Sequence, residues 1–402
     1  MRFEFSTAGR IVFGAGTLQE AGEIVEGMSE RPLVVTGGTA GRAEPLLSLL
    51  AGRGLTSTTY AVVGEPDVEM VRHGAALARD EGCDCVVGFG GGAALDAAKA
   101  IAILMTNPGD VLDYLEIVGR GRALTEAPVP MMAVPTTAGT GTEVTRNSVI
   151  ASPEHRVKVS LRSPLMLPRV ALVDPELTYT LPPALTATTG LDALTQLIEP
   201  FVCTRANPFT DGLCKEGITR VVRSLRRAVE SGQAVAAHGA ARAPEATRTP
   251  ETAAAREDMA VASLFGGLAL ANAGLGAVHG IAGPLGGMVR APHGAVCAAL
   301  LPGVAAANLY ALRRRAPRSE ALGRYAKLAQ LLTGNPGAAG DEVSKWLRRL
   351  VADLEIPGLG AYGVGPEHIP ELVEKAAAAS SMKANPVELT RDELASIVES
   401  AL

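Results

Sequence analysis

Short apolar runs that end in glycine or proline alternate with helix-like stretches in the first half of the chain. Leu33-Val34-Val35-Thr36 and Cys85-Val86-Val87-Gly88-Phe89 are each followed by a stretch with helical periodicity. Further strand candidates are Met131 to Pro135, Val157 to Leu161 and Val170 to Val173. Strands that alternate with helices predict a parallel sheet covered by helices.

The pattern changes after Pro182-Pro183. From Ala184 onward the chain is rich in Ala, Leu and Glu, with apolar residues at helical spacing and few β-branched runs. A chain of 402 residues is also long enough to build two cores. We therefore expect an α/β domain over residues 1–180 and an all-α domain over residues 181–402.

The first fourteen residues predict a hairpin. Phe3, Phe5, Ile11 and Phe13 lie there among polar residues and glycines. The outer edge of such a hairpin is free to pair with another chain, so we expect a homodimer or a higher homo-oligomer.

Composition excludes several classes of protein. Hydrophobic residues make up 47% and charged residues 20%, which is typical of a globular rather than a disordered chain. A net charge of −5 with scattered Lys and Arg argues against nucleic acid as a partner. No stretch approaches the roughly 20 uninterrupted apolar residues of a membrane span, and the charged N-terminus is unlike a signal peptide. These features predict a cytoplasmic protein without a membrane partner.

Five cysteines are spread among apolar neighbours, and their number is odd. This favours buried thiols in a reducing compartment over a disulfide framework. The cysteines are Cys83, Cys85, Cys203, Cys214 and Cys297.

Two loops carry candidate ligand-binding chemistry. Gly90-Gly91-Gly92 follows a buried-strand pattern and opens a helix, where glycines and free N–H groups can cradle a diphosphate. A tight strand-to-helix turn is the alternative interpretation. The segment Pro135 to Thr145 follows another strand, and its hydroxyl groups include those of Thr136, Thr137, Thr140 and Thr142. Both loops are expected at the carboxyl ends of strands in one sheet, where open α/β folds bind ligands.

The helical half contains three candidate metal ligands, Asp192, His279 and His293. Neutral imidazoles and a carboxylate suit zinc or ferrous iron, with a position left open for substrate. A lone histidine on an apolar helix is more often a core residue. Two histidines fourteen residues apart, each followed by a glycine that could admit a ligand, favour the metal.

Taken together, these motifs resemble those of the iron-containing (group III) alcohol dehydrogenase family, which shares the dehydroquinate synthase-like fold. The resemblance covers nearly the whole chain. It rests on Gly90-Gly91-Gly92 with Asp96 and Lys99, the Pro135 to Thr145 loop, Asp174-Pro175, the Asp192 helix, and Gly274 to Pro302. It implies a nicotinamide-binding N-terminal domain, a helical C-terminal domain and a divalent metal, Fe²⁺ or Zn²⁺, in the cleft between them.

The resemblance also implies hydride transfer between NAD or NADP and a small alcohol or aldehyde, with the metal as Lewis acid. Asp192, His279 and His293 would then serve catalysis as metal ligands. The expected cofactor-binding residues are Gly37, Gly38, Thr39, Gly90, Gly91, Gly92, Asp96, Thr136, Thr137, Thr140, Thr142 and Lys158.

Two positions depart from the family pattern. Gln196 stands four residues after Asp192, where most of these dehydrogenases have a histidine. The glutamine either coordinates the metal or only hydrogen-bonds a ligand, so Gln196 is kept as a fourth candidate. Gly283 stands where the family commonly has a histidine near the substrate, which leaves the proton route open.

Cofactor and substrate preferences follow from less specific signals. The loop Thr36-Gly37-Gly38-Thr39 lacks a carboxylate that would repel a 2′-phosphate, and Arg42 follows one turn later, so NADPH is expected to be accepted and preferred. Arg146, Arg156 and Lys158 lie near the cofactor loop and raise the alternative of an anionic aldehyde. Two other functions stay open: a metal-free reductase similar to maleylacetate reductase, and a dinucleotide-binding protein without catalysis.

Overall fold

The chain is described by a computed structural model that covers residues 2–155, 157–237 and 249–402. Two compact units divide it. The first contains Phe5–Thr137 and Gly141–Thr178, and the second contains the described parts of Tyr179–Leu402 together with residues 2–4 and Ala138–Thr140. The first unit is α/β and the second is helical, as the sequence predicts.

The α/β unit contains eight strands and five α-helices among its described residues. The strands are β1 Arg10–Phe13, β2 Pro32–Gly37, β3 Thr58–Val62, β4 Cys85–Gly90, β5 Met131–Pro135, β6 Asn147–Ser152, β7 Val157–Arg162 and β8 Val170–Val173. The helices are α1 Ala21–Glu26, α2 Glu44–Gly52, α3 Val68–Asp80, α4 Gly92–Thr106 and α5 Val111–Tyr114.

Six of the strands form one parallel sheet in the order β1-β8-β5-β4-β2-β3. Alternate residues of β2 supply the cores on its two faces, because successive side chains of a strand point to opposite sides. Leu33 and Val35 belong to the same cluster as Ile101 of α4, whereas Val34 belongs to the cluster of Leu46 of α2. β3 pairs with one edge of β2, and β4, which comes next in the chain, pairs with the opposite edge of β2. The strand order therefore reverses between β2 and β4.

Two strand predictions need correction. The predicted strand Val157 to Leu161 forms, but it lies outside the parallel sheet and pairs antiparallel with β6 in a two-stranded ribbon. The predicted N-terminal hairpin is wrong for the described residues, because residues 2–9 form no strand and β1 pairs parallel with β8. β1 nevertheless ends the sheet, so an open edge remains, and dimerisation through it stays a prediction.

The helical unit contains nine α-helices in its described residues. They are α6 Pro183–Val202, α7 Pro208–Ala237, α8 Pro250–Ala273, α9 Ala277–Met288, α10 His293–Arg315, α11 Glu320–Thr333, α12 Asp341–Asp353, α13 Ile369–Ala378 and α14 Arg391–Glu399. α6 is buried from Gly190 to Val202 and packs against α7 and α8. Close packing explains Gly190, because a Cβ there would collide with Leu225 of α7. α6 is thus the central helix of this unit.

One helix, α10, is apolar along most of its length, although Pro302 and Asn308 interrupt its apolar residues. By length and composition this helix could cross a membrane, but 72% of its most apolar 18-residue window is buried inside the protein. Val296, Leu300, Leu301 and Val304 of α10 belong to the hydrophobic core of the helical unit. The apolar sequence of α10 is therefore explained by its position as a core helix.

Candidate functional site

Three helices of the second unit bring four potential metal ligands together. Asp192 comes from α6, His279 from α9, and His293 and Cys297 from α10. One ligand atom from each of the four lies within 4.8 Å of all the others. Asp192 Oδ1 lies 3.5 Å from His279 Nε2 and 3.9 Å from His293 Nε2. The structure thus places Asp192, His279 and His293 in one cluster and adds Cys297 to it.

The sequence analysis missed Cys297, which it assigned to the buried structural thiols. Cys297 is indeed buried and free, but its Sγ lies 3.6 Å from His293 Nε2 and 3.9 Å from His279 Nε2. The signal in the sequence is spacing, because Cys297 follows His293 by four residues and residues so spaced share a helix face.

Glu199 is a second residue that sequence reasoning missed. Its Oε2 accepts a hydrogen bond from His279 Nδ1 at 2.7 Å, and its Oε1 accepts from the Val278 N–H at 2.7 Å. The carboxylate therefore holds the first turn of α9 and the imidazole at once. In the neutral imidazole, an Nδ1–H that donates to Glu199 leaves the lone pair on Nε2, which faces the cluster. Asp192, Gln196 and Glu199 follow one another on α6 at spacings of four and three, so their shared face was visible in the sequence.

Gln196 lies beside Asp192 in the interior. Its Nε2 donates to Asp192 Oδ2 at 3.0 Å. Neither Asp192 Oδ1 nor Gln196 Oε1 has a hydrogen-bond partner, although both atoms are buried. Buried oxygen atoms without a donor are costly unless a cation or water satisfies them, and Asp192 Oδ1 lies within the cluster of nitrogen and sulfur ligand atoms. The residues present therefore fit a bound metal ion.

Acidic and basic groups in the cluster stabilise one another's charges. Burial raises the pKa of the Asp192 carboxyl, but His279 and His293 outweigh it and hold that pKa below its usual value. Burial also raises the pKa of the Cys297 thiol, and the same two imidazoles bring it below its ordinary value. The negative charge of Cys297 in turn raises the pKa of His293 to about 9. Two acidic groups in one buried space favour a cation between them.

The glycines beside the histidines serve packing, which corrects the expectation that they admit a ligand. A Cβ on Gly294 would collide with the Thr188 carbonyl of α6, and one on Gly280 would lie 2.7 Å from Met382 Cε. Both glycines therefore allow neighbouring segments to approach the cluster helices closely. Gly283 differs, because a Cβ there would meet no atom within 4 Å.

The predicted dinucleotide loops meet at the carboxyl ends of β2, β4 and β5 in the α/β unit. A Cβ on Gly90 would lie 3.3 Å from the Gly37 nitrogen, and one on Gly91 would lie 3.4 Å from Thr137 Cγ2. The Thr136 N–H donates to the Gly90 carbonyl at 2.9 Å. α4 begins at Gly92, so its free N–H groups lie at the same edge. This edge is also where the strand order reverses, the usual ligand position of such sheets.

Several other predicted cofactor residues have partners within the α/β unit. Asp96 Oδ2 accepts from the Val149 N–H at 3.1 Å, which ties α4 to β6. Lys158 pairs with Glu65 at 3.2 Å, and the Thr142 carbonyl accepts from Lys99. Thr140 belongs to the helical unit rather than to the α/β unit. Gly38 and Thr39 directly follow β2, and Arg156 lies outside the described residues.

Family models match both halves of the chain. The model described as iron-containing alcohol dehydrogenase matches residues 8–175. The model described as Fe-containing alcohol dehydrogenase family, C-terminal, matches residues 186–243 and 240–402. Together they span most of the sequence.

Individual proteins are similar over nearly their full length. Alcohol dehydrogenase 4 of Saccharomyces cerevisiae (strain YJM789) is 34% identical over 398 residues, which cover 97% of this chain and 96% of that protein. The crystal structure of a 1,3-propanediol oxidoreductase has a TM-score of 0.88 at 33% identity and covers 100% of both chains. The structure of sulfoacetaldehyde reductase from Bifidobacterium kashiwanohense in complex with NAD+ has a TM-score of 0.83 at 29% identity, covering 100% of this chain and 99% of that one.

Proposed function

Because the chain belongs to the iron-containing alcohol dehydrogenase family and is therefore an alcohol or aldehyde oxidoreductase, we propose that its Asp192 cluster is the catalytic metal centre. The reaction is hydride transfer between a nicotinamide dinucleotide and the carbon of a small alcohol or aldehyde. The observation that carries the proposal is the buried Asp192 Oδ1, which lacks a hydrogen-bond donor and lies 3.5 Å from His279 Nε2 and 3.9 Å from His293 Nε2.

Asp192, His279 and His293 would hold the divalent cation, Fe²⁺ or Zn²⁺. When bound, the cation supplies Lewis acidity at the substrate oxygen. Glu199 fixes the imidazole of His279 so that its Nε2 lone pair is directed at the cluster. Gln196 holds Oδ2 of Asp192, which leaves Oδ1 for the cation. The side chain of His293 is 36% exposed, against 3% for Asp192 and 8% for His279, so substrate would approach on the side of His293.

The dinucleotide would bind at the carboxyl ends of β2, β4 and β5. Gly90, Gly91 and Gly92 leave room for a diphosphate beside the N-terminus of α4, whose dipole favours its charge. Gly37, Gly38 and Thr39 would contact the adenosine half of the dinucleotide. The hydroxyl groups of the threonine loop, Pro135 to Thr145, would donate to its other half. Asp96 would tie α4 to β6 through its hydrogen bond from the Val149 N–H rather than touch the cofactor.

The substrate proposed here is a small uncharged alcohol or its aldehyde. Lys158, one of the cations that suggested an anionic aldehyde, is paired with Glu65 at 3.2 Å and is largely buried. This pairing offsets the positive charge that an anionic substrate would need. The named relatives include enzymes of both kinds, a 1,3-propanediol oxidoreductase and a sulfoacetaldehyde reductase, so both substrates belong in the test.

A panel of aldehydes tests the proposed function. The protein is stripped of metal with a chelator, reloaded separately with Zn²⁺ and Fe²⁺, and assayed with NADH and NADPH on neutral aldehydes and on sulfoacetaldehyde. We expect turnover of neutral aldehydes only in the reloaded samples. Full turnover in the stripped sample would favour the metal-free alternative, and cofactor binding without any turnover would favour the non-catalytic one.

Position 37 offers a test of the proposal that NADPH is accepted. A Cβ on Gly37 would meet no atom within 4 Å, so Gly37→Asp fits without steric conflict. The new carboxylate should repel the 2′-phosphate, and we expect the kcat/KM ratio of NADPH to NADH to fall at least tenfold, equivalent to about 1.4 kcal/mol. Gly41→Asp is a matched control, since its added Cβ would also meet nothing within 4 Å.

An unchanged cofactor ratio in Gly37→Asp, or a strong preference of the unaltered protein for NADH, would contradict this account of the loop. Arg42 is expected to contribute little, because its Nη2 already donates to the Leu177 carbonyl at 2.9 Å.

A further inference from the structure

The thiol of Cys297 faces the same point as the proposed metal ligands. Its Sγ lies 3.6 Å from His293 Nε2 and 3.9 Å from His279 Nε2. Metal–ligand bonds of about 2.0–2.1 Å to nitrogen or oxygen and about 2.3 Å to sulfur, at tetrahedral angles, place neighbouring ligand atoms roughly 3.3–3.6 Å apart. The separations from sulfur to the two imidazole nitrogens lie at or slightly above that range.

Hydrogen bonding alone does not satisfy this group of atoms. In the neutral form that binds a metal, His279 donates from Nδ1 to Glu199 and carries a lone pair on Nε2, and Asp192 Oδ1 is a second acceptor without a donor. A thiol supplies one proton and cannot serve both acceptors. Lone pairs that converge in a buried space without enough protons between them are the arrangement that a cation stabilises.

Gln196 is the competing candidate for the fourth ligand position, four residues after Asp192 on α6. Its Nε2 donates to Asp192 Oδ2. Its Oε1 lies near α8, because a Cβ added at Gly266 of that helix would be 3.5 Å from this oxygen. An amide oxygen is neutral, whereas a thiolate carries charge and is a preferred ligand of zinc. Cys297 lies four residues after His293 on α10, a spacing at which two side chains of one helix can bind the same ion.

We propose that Cys297 is the fourth protein ligand of the metal, giving an aspartate, two-histidine and cysteine site that selects Zn²⁺ over Fe²⁺. This inference rests on the proposed metal centre and names a ligand that the family pattern does not supply. Gln196 then acts as a positioning residue for Asp192. With four protein ligands, a substrate oxygen would have to reach the cation by five-coordination, and His293 lies on the exposed side from which it could approach.

X-ray absorption at the zinc edge tests the proposal without any assay of activity. The zinc-loaded protein should show one sulfur neighbour at about 2.3 Å. Cys297→Ala should lose that neighbour, whereas Gln196→Ala and the matched buried-cysteine control Cys214→Ala should retain it. The cobalt-loaded protein should show a sulfur-to-metal charge-transfer band with the same pattern across the variants.

Affinity supplies a second measurement. In competition with a chromogenic chelator, Cys297→Ala should weaken zinc binding by more than the roughly 10- to 100-fold that loss of an outer partner costs. It should weaken Fe²⁺ binding less, because the thiolate favours the softer ion.

The outcomes separate this inference from the proposed function. Bound zinc with only nitrogen and oxygen neighbours would overturn the role of Cys297 and leave the metal centre in place. A sulfur neighbour that persists in Cys297→Ala would also overturn it. Failure of the unaltered protein to bind any metal would overturn both. Should Cys297→Ala not fold, alkylation of the unaltered protein followed by peptide mapping provides the test. Added zinc must then reduce the alkylation of Cys297 by more than it reduces that of the buried Cys214.

Discussion

The His279→Ala variant should lose bound metal and nearly all activity while it keeps its fold. His279 supplies one of the proposed ligand atoms, and its Nδ1 donates to Glu199 of α6, whose carboxylate also accepts from the Val278 N–H at the start of α9. Lewis acidity is worth several kcal/mol in a metal-dependent reaction, and each 1.36 kcal/mol is tenfold in rate. We therefore expect kcat/KM to fall on the order of 10³-fold, with metal content measured by mass spectrometry falling in parallel.

His73→Ala is the matched control for this prediction. His73 is an exposed histidine of α3 in the α/β unit, so its removal should leave metal content and kcat/KM unchanged. Because the glycine loop and all but Ala138–Thr140 of the threonine loop belong to the α/β unit, His279→Ala should still bind the dinucleotide with its original affinity, as followed by fluorescence of the reduced cofactor. Retained activity in metal-free His279→Ala would mean that the Asp192 cluster is not a metal-dependent catalytic site.

Replacing Glu199 should lower metal content and kcat/KM by less than His279→Ala lowers them. Replacing an outer partner of a metal-binding histidine costs roughly 10- to 100-fold in metal affinity or activity, so Glu199 contributes less than the ligand it holds.

Burial explains which strands could be predicted from the sequence. β4, β5 and β8 are buried at every position and β2 at all but its last, so they appear as continuous apolar runs. β3, at the edge, has only one buried residue and reads Thr-Thr-Tyr-Ala-Val, and β6 alternates but begins with Asn147 and Ser148. Edge and ribbon strands bury too few side chains to stand out by composition.

The N-terminal hairpin failed for a different reason. Alternation of Phe3 and Phe5 with polar residues is typical of a strand, but a strand also needs a pairing partner, which is often far away in sequence. A Cβ added at Gly9 would lie 3.0 Å from the Arg169 carbonyl oxygen, so the two segments are in close contact. Arg10 pairs with Val170 in parallel register. The partner of β1 is therefore β8, which no local pattern reveals.

The candidate metal centre was predictable as far as residue type identifies a ligand. Carboxylates and imidazoles in an apolar helical region are unusual, so Asp192, His279 and His293 could be selected. Cys297 is also an apolar core residue type, and only its position one helical turn after His293 distinguishes it from the other cysteines. The arrangement of the three helices brings it to the ligand atoms, and that arrangement depends on packing contacts such as Gly294 against Thr188.

Lys99 should have the largest effect on stability among the lysines. It is 1% exposed, and its Nζ donates to the carbonyls of Thr142, Thr145 and Asn147 at 2.5, 2.7 and 3.0 Å. Burial lowers the pKa of Lys99 to about 8, and the negative charges of Asp96 and Glu143 oppose that fall. One ammonium group thus holds two carbonyls of the threonine loop together with the Asn147 carbonyl that follows it.

Lys99→Met keeps much of the side-chain volume but removes every one of these donors. The Thr142 carbonyl keeps its hydrogen bond from the Thr145 N–H, so the carbonyls of Thr145 and Asn147 are the two that are orphaned. A buried carbonyl left without a partner costs about 1–3 kcal/mol, so the free energy of unfolding should fall by about 2–6 kcal/mol. Lys345→Met is the matched control, because Lys345 is exposed and its ion pair with Glu342 is screened by solvent, so its loss should change stability little. Hydrogen exchange should accelerate at the amides of residues 142–147, and KM for the dinucleotide should rise while metal content stays constant, since the metal ligands belong to the helical unit. Equal stability of the two variants in denaturant, with unchanged exchange at 142–147, would show that Lys99 does not hold this loop.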